Sequence, residues 1–183
     1  VVSGNARFTV LTDRIIRMEW SADGVFEDNA TLAIVNRELP VPEFRVTNKA
    51  GRTEISTGKV KLVYNGDGKF TADNLSVSFK MNGKTVKWVP GADDSGNLLG
   101  TTRTLDGCKG TSQLSHTEKS LEQGICSRDG WAIVDESERH LLVPVDSDWK
   151  NWVAERPEGD RVDWYIFAYG HKYTEALSDF TKV

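Results

Sequence analysis

Cysteine is scarce in this sequence: its 183 residues hold two, Cys108 and Cys126. That is too few for a disulfide scaffold or an all-cysteine zinc site. The pair reads either as two buried free thiols or as one disulfide, which would imply an oxidising compartment. Excess positive charge is also lacking, with 23 Lys and Arg against 27 Asp and Glu and a net charge of -4. Such a balance leaves no basic footprint and argues against nucleic acid as a partner. No apolar run approaches the roughly 20 residues that cross a bilayer as a helix, so no membrane partner is expected. Val1–Asn5 has neither the basic start nor the apolar stretch of a signal peptide. A leader removed in processing leaves the compartment open, with a periplasmic or secreted setting preferred over the cytoplasm.

Several chemistries are missing at the level of motifs. There is no G-x-x-x-x-G-K-[ST] loop, no G-x-G-x-x-G after a strand, no G-x-S-x-G elbow and no H-E-x-x-H. His116, His140 and His171 lie far apart without ligand-like spacing. No metal and no cofactor are therefore expected. A composition of 38% hydrophobic and 27% charged residues is that of an ordinary globular chain, long enough to bury a core.

What is present is strand chemistry. Arg7–Thr12 alternates, and Ile15–Trp20 alternates again, setting Ile16, Met18 and Trp20 on one face. Leu32–Val35 is a short apolar run, and Pro40 and Pro42 confine Val41 to an edge or loop. Phe44–Thr47, Arg52–Thr57, Val60–Tyr64, Leu75–Phe79 and Thr85–Val89 follow as strands, separated by Asn- and Gly-containing turns. From Pro90 to about Cys126 the chain is rich in Gly, Ser, Asp and Thr, a long irregular stretch of the kind that carries function. Strands resume at Trp131–Asp135, His140–Pro144 and Asp163–Tyr169. Many short strands with no long helical pattern between them predict a mainly β fold, an antiparallel β-sandwich or barrel.

Only the last segment changes period. Tyr173, Ala176, Leu177 and Phe180 fall on one helical face, Thr174 is placed to cap it, and Glu175 suits the positive end of its dipole. Read alone, this helix has no C-cap and nothing to pack on. The expectation is a chain that continues beyond Val183, with residues 1–170 as a sandwich and 171–183 as a helical link.

Three separated blocks resemble glycoside hydrolase family 31 in order and spacing, and together span nearly the whole chain. The first is Arg7–Thr12 with Ile16–Glu19 and Asp23–Asp28; the second is Gly100–Gly107 with Leu121–Asp135; the third is Asp163–Tyr173 with Ala176–Lys182. The resemblance implies a galactose-mutarotase-like N-terminal sandwich of a retaining α-glucosidase-type enzyme. Its nucleophile and acid/base would lie in a following (β/α)8 barrel, which would be this domain's partner within the same chain. No residue here is then catalytic, although the parent protein is an enzyme.

The resemblance further implies that a sandwich loop reaches the barrel mouth and touches the oligosaccharide substrate. Arg103 and Asp106 map to that loop, with Arg128, Asp129 and Trp131 as a second group. The chemistry suits a sugar: a carboxylate accepts hydroxyls, an arginine orients it, and an indole face stacks on pyranose C–H groups. The alternative is that these ion pairs only tie down long loops. Two other functions stay open, a stand-alone carbohydrate-binding module and a small mutarotase-like enzyme using a histidine acid–base pair. Trp20, Trp88 and Trp164 sit in strand patterns and are expected in the core. Trp149 and Trp152 form a candidate exposed patch.

Overall fold

Period-two hydrophobicity becomes paired strands in the computed structural model, which describes residues 1–100, 123–146 and 151–183. The first sheet contains β1 (Val2–Ser3), β2 (Ala6–Val10), β3 (Ile15–Ser21), β13 (Arg161–Phe167) and β10 (Ala132–Asp135), in that spatial order. The second is a meander of β5 (Arg45–Lys49), β6 (Arg52–Ser56), β7 (Val60–Asn65), β8 (Leu75–Met81) and β9 (Lys84–Trp88). Every pairing is antiparallel. Two-residue turns at Ala50-Gly51 and Asn82-Gly83 join β5 to β6 and β8 to β9. All four residues have positive φ, from 50° to 76°, the geometry whose twist matches that of the strands it connects.

The alternating positions of the two sheets meet in one core. Phe8, Ile16, Met18 and Ile166 come from the first sheet, and Ile55, Leu62, Val77 and Phe79 from the second. Each such side chain contributes about 1.5–3 kcal/mol by leaving water. Trp88 is buried in this core, and Trp20 and Trp164 pack against it half-buried, so the expected core placement of the three tryptophans holds. The protein is a mainly β, antiparallel sandwich, as its strand pattern requires.

The first sheet is covered on its other face too. There Leu11, Ile15, Tyr165, Phe167 and Tyr169 form a second cluster with Ile34, Ala176 and Val183. Here the structure corrects the reading of the terminal segment. The helix α1 (Tyr173–Phe180) forms, but it does have a surface to pack on. Ala176 is buried against this face, and the Phe180 ring meets Phe167 edge-on at 6.1 Å. The cap differs as well: Lys172 occupies the N-cap position without a side-chain hydrogen bond, and Thr174 lies inside the helix. Glu175 does stand in the first turn.

A third, small sheet was only half legible. It orders β12 (Asn151–Ala154), β11 (Leu141–Pro144) and β4 (Ala30–Thr31). The apolar run Leu32–Val35 is not itself a strand; it delivers Ile34 into the second cluster while Leu32 and Val35 face solvent. β12 was not anticipated, and Trp152 on it is 63% exposed. Trp149 lies outside the described residues.

Candidate functional site

Two segments far apart in sequence clasp each other at the end of the sandwich, residues 94–99 and 123–131. Asp94 anchors them. Its Oδ1 accepts from Ser127 Oγ at 2.5 Å and its Oδ2 from Asn97 Nδ2 at 2.6 Å, with all three residues buried. Asn97 Nδ2 also donates to the Gly124 carbonyl, and Asn97 Oδ1 accepts from the N–H groups of Leu99 and Gly124, each at 2.8 Å. Backbone bonds from Leu98 N–H to Cys126 O and from Arg128 N–H to Gly96 O close the clasp. A buried polar network with its members satisfied in this way is rigid.

The clasp is bonded to the turn that leads into α1 and packs closely on the second sheet. Gly170 N–H donates to Gly130 O at 2.8 Å, and His171 Nε2 lies 2.9 Å from the Arg128 carbonyl oxygen. Gly130 has φ of +86°, and a Cβ there would come within 2.6 Å of Met81 Sδ and 3.1 Å of Gly170 Cα. No other residue fits that approach.

The sequence-derived site residues separate at this point. Asp129 accepts Gly96 N–H on Oδ2 at 2.9 Å, and its own N–H donates to Ser127 Oγ. It therefore works inside the clasp. Arg128 is exposed, and among the described residues it makes no ion pair with Asp129, so the notion that these two tie the loop down as a pair is replaced by backbone bonding on either side. Trp131 is 6% exposed, with its ring 6.2 Å from that of Trp88. Arg103 and Asp106 lie outside the described residues, as do Cys108 and His116. The clasp pins residues 97–99 to 124–126, the two ends from which that intervening stretch departs. Sequence reading missed Asp94, Asn97 and Ser127; the only local signal was their turn-forming residue type.

Beside the clasp runs an open groove of about 810 Å³. Its apolar wall comprises Leu98, Leu99, Ile125, Leu177 and Phe180, and Asp135 and Arg139 line it as well. Leu99 and Leu177 are 47% and 53% exposed. Cys126 also lines it as a free, half-buried thiol whose pKa burial raises, which makes it a poor nucleophile. Among the described residues no group of His, Cys, Asp and Glu is arranged to hold a metal. No helix among them is long and apolar enough to cross a membrane.

A different concentration of charge lies on the outer face of the first sheet. Arg17 donates from Nε and Nη2 to the two oxygens of Asp163, both at 2.8 Å. Arg7 grips Glu19 in the same two-pronged way at 2.6 and 2.9 Å, and Arg156 adds a 2.7 Å bond to Asp163. Arg17, Glu19 and Asp163 are 2%, 3% and 2% exposed. Burial works to raise the Asp163 pKa, but the paired arginines Arg17 and Arg156 hold it below the usual carboxylate range. For Glu19 burial wins over Arg7 and Arg17 and lifts the pKa. The arginines use most of their donors internally, so this cluster is structural.

No family model matches the sequence, and no curated protein matches it either. Among solved structures the fold is similar to a glycoside hydrolase family 31 dextranase from Flavobacterium johnsoniae, determined in complex with glucose. The TM-score is 0.52 at 15% sequence identity, over 96% of this chain and 25% of the dextranase. The chain thus shares the fold of a part of that enzyme and spans about a quarter of its length.

Proposed function

We propose that this chain is the non-catalytic N-terminal β-sandwich of a family 31 glycoside hydrolase of α-glucosidase type. The observation that carries the reading is the fold likeness to the dextranase, which takes in nearly all of this chain and only a quarter of the enzyme. The three sequence blocks that resemble the family support it independently. On this reading the chemistry belongs to a (β/α)8 barrel that follows α1. The barrel packs on the exposed Leu98, Leu99 and Leu177, which are clustered around one groove. The clasp then has a mechanical task. It holds the base of the stretch carrying Arg103 and Asp106 in place, so that those side chains meet the oligosaccharide at the barrel mouth.

Two measurements test this. The 183-residue chain should release no nitrophenol from nitrophenyl α-glucoside, whereas the same chain with its natural continuation should; turnover by the short chain alone would sink the reading. In the longer chain, Asp106→Ala should lower kcat/KM by roughly tenfold or more, the loss of a hydrogen bond to a charged partner. Unchanged kinetics would remove the loop from the pocket.

A further inference from the structure

A second concavity adjoins the groove beside the clasp, sharing Gln123, Ile133 and Asp135 with it, where β9, β10 and β13 come together. It has a volume of about 280 Å³, and its lining includes Trp88, Trp131, Trp164, Asp93, Asp135 and Gln123. The tryptophans form one wall whose open face is the half-buried Trp164. Trp88 and Trp131, 2% and 6% exposed, back it and reach the cleft only at their edges, Trp88 lying 6.2 Å from each of the other two rings, tilted at 56° to Trp131 and edge-on to Trp164. Core packing accounts for the rings but not for their N–H groups. Trp20 donates its indole N–H to the Asp67 carbonyl at 3.0 Å. Among the described residues the indole N–H groups of Trp88, Trp131 and Trp164 have no hydrogen-bond partner, yet none of the three is sealed from solvent. Three tryptophans that line one cleft and keep their donors open, where Trp20 has paired its own, give that surface spare capacity for acceptors.

The rim supplies the complementary chemistry. Asp93 and Asp135 are exposed acceptors, and Asp135 commits one oxygen to the Ser137 N–H. Asp94, which also lines the cleft, is already saturated by Ser127 and Asn97 and adds only negative charge. Among the described residues no lysine or arginine lines the cleft. Phosphates and acidic sugars are therefore excluded by repulsion. A ligand must be uncharged, apolar on one side, and rich in groups that both donate and accept. At about 30 Å³ per water, the cleft holds on the order of nine waters, room for one small ring and not for a polymer.

We infer that this cleft is a recognition site for a single neutral pyranose ring, seated on the tryptophan wall with its hydroxyls on Asp93 and Asp135. The site belongs to the sandwich itself and does not depend on a barrel. Its failure therefore leaves the proposed function standing, and the reverse also holds. The test is a titration of the isotope-labelled 183-residue chain with methyl α-glucoside, methyl α-galactoside and, separately, choline, following the tryptophan indole N–H resonances.

The expected result is that three indole signals, those of Trp88, Trp131 and Trp164, shift with a millimolar dissociation constant for at least one glycoside, while that of Trp20 stays. Asp93→Ala and Asp135→Ala, both at exposed positions, should each weaken binding about fivefold, the loss of one hydrogen bond. Absence of shifts with either glycoside well above millimolar concentration would overturn the inference. So would shifts produced by choline instead, since an aromatic wall beside carboxylates would then be a cation cage. Binding unaltered in both aspartate variants would overturn it as well.

Discussion

On one face of the sheet that holds β3 and β13, Ile16, Met18 and Ile166 meet the opposing meander. One residue further along each strand, Arg17, Glu19 and Asp163 face the other way and meet one another. The apolar face stabilises by area and tolerates swaps that conserve volume. The charged face works differently. Its pairs lie between neighbouring strands, and a slip of one residue would drive three charges into the apolar core. The first face supplies most of the stability, while the second fixes the register.

The largest effects should come from removing one anchor from either face. Asp163→Ala strands Arg17 and Arg156 without their shared carboxylate and should cost about 3–5 kcal/mol in urea unfolding. Phe8→Ala on the apolar face should cost a similar amount, about 3–5 kcal/mol, through its cavity. The two should differ in partner rescue: adding Arg17→Met to an Asp163→Leu variant should recover part of the loss, and a loss that did not shrink would mean that Arg156 is the main creditor.

Acid sharpens the contrast next. The Asp163 pKa is depressed below 3.8 in the fold, so its contribution is present above that value and is lost as pH falls through the depressed one. Glu19 runs oppositely, since its raised pKa favours the fold below its ordinary 4.5 and fades above it. The stability gap between the parent chain and Asp163→Asn should therefore narrow as pH drops from about 5 towards 2. A constant gap would place the effect in packing. The gap in Phe8→Ala should not change with pH.

A smaller change is expected at the helix junction. Tyr169 Oη donates to Asp179 at 2.6 Å and lies 3.2 Å from Thr12 Oγ1, so Tyr169→Phe should cost about 1–2 kcal/mol and loosen α1 first. Hydrogen exchange of the α1 amides would register that loosening; unchanged protection would mean that Ala176 and Phe180 hold the helix unaided. Smallest of all, Ala50 sits at φ of 50° where a side chain is strained, and Ala50→Asn should raise stability by about 0.5–1 kcal/mol in thermal melting.

Much of this architecture was legible because burial writes a period. β2, β3, β7 and β8 alternate or run apolar, with Asp13 marking the turn between the first two and Gly66 and Gly68 that between the last two, so the sandwich follows from the sequence. The docking of α1 was hidden because its landing face is interrupted by Arg17, Glu19 and Asp163, which break the apolar pattern that would have advertised a second buried face. β12 has four residues and takes its register from β11, so nothing within it signals a strand. Candidate residues in the second loop were found by residue type, yet Asp129 proved to be bonded to Gly96, a partner 33 positions away. Such a pairing leaves no local trace. Asp94, Asn97 and Ser127 were missed for the same reason.

The place of β13 has a kinetic consequence. It enters between β3 and β10, and its pairs with β3 join residues about 146 positions apart, as Arg17 with Asp163 does. Until that strand arrives, the first sheet is two unconnected pieces, each showing an unpaired edge. Topology of this kind closes a long loop before any contact rewards it, and so folds slowly. On the ribosome the β2–β3 hairpin must wait, edge exposed, until β13, about 140 residues further along, has been made. That interval is when the protein is most open to pairing with a neighbour.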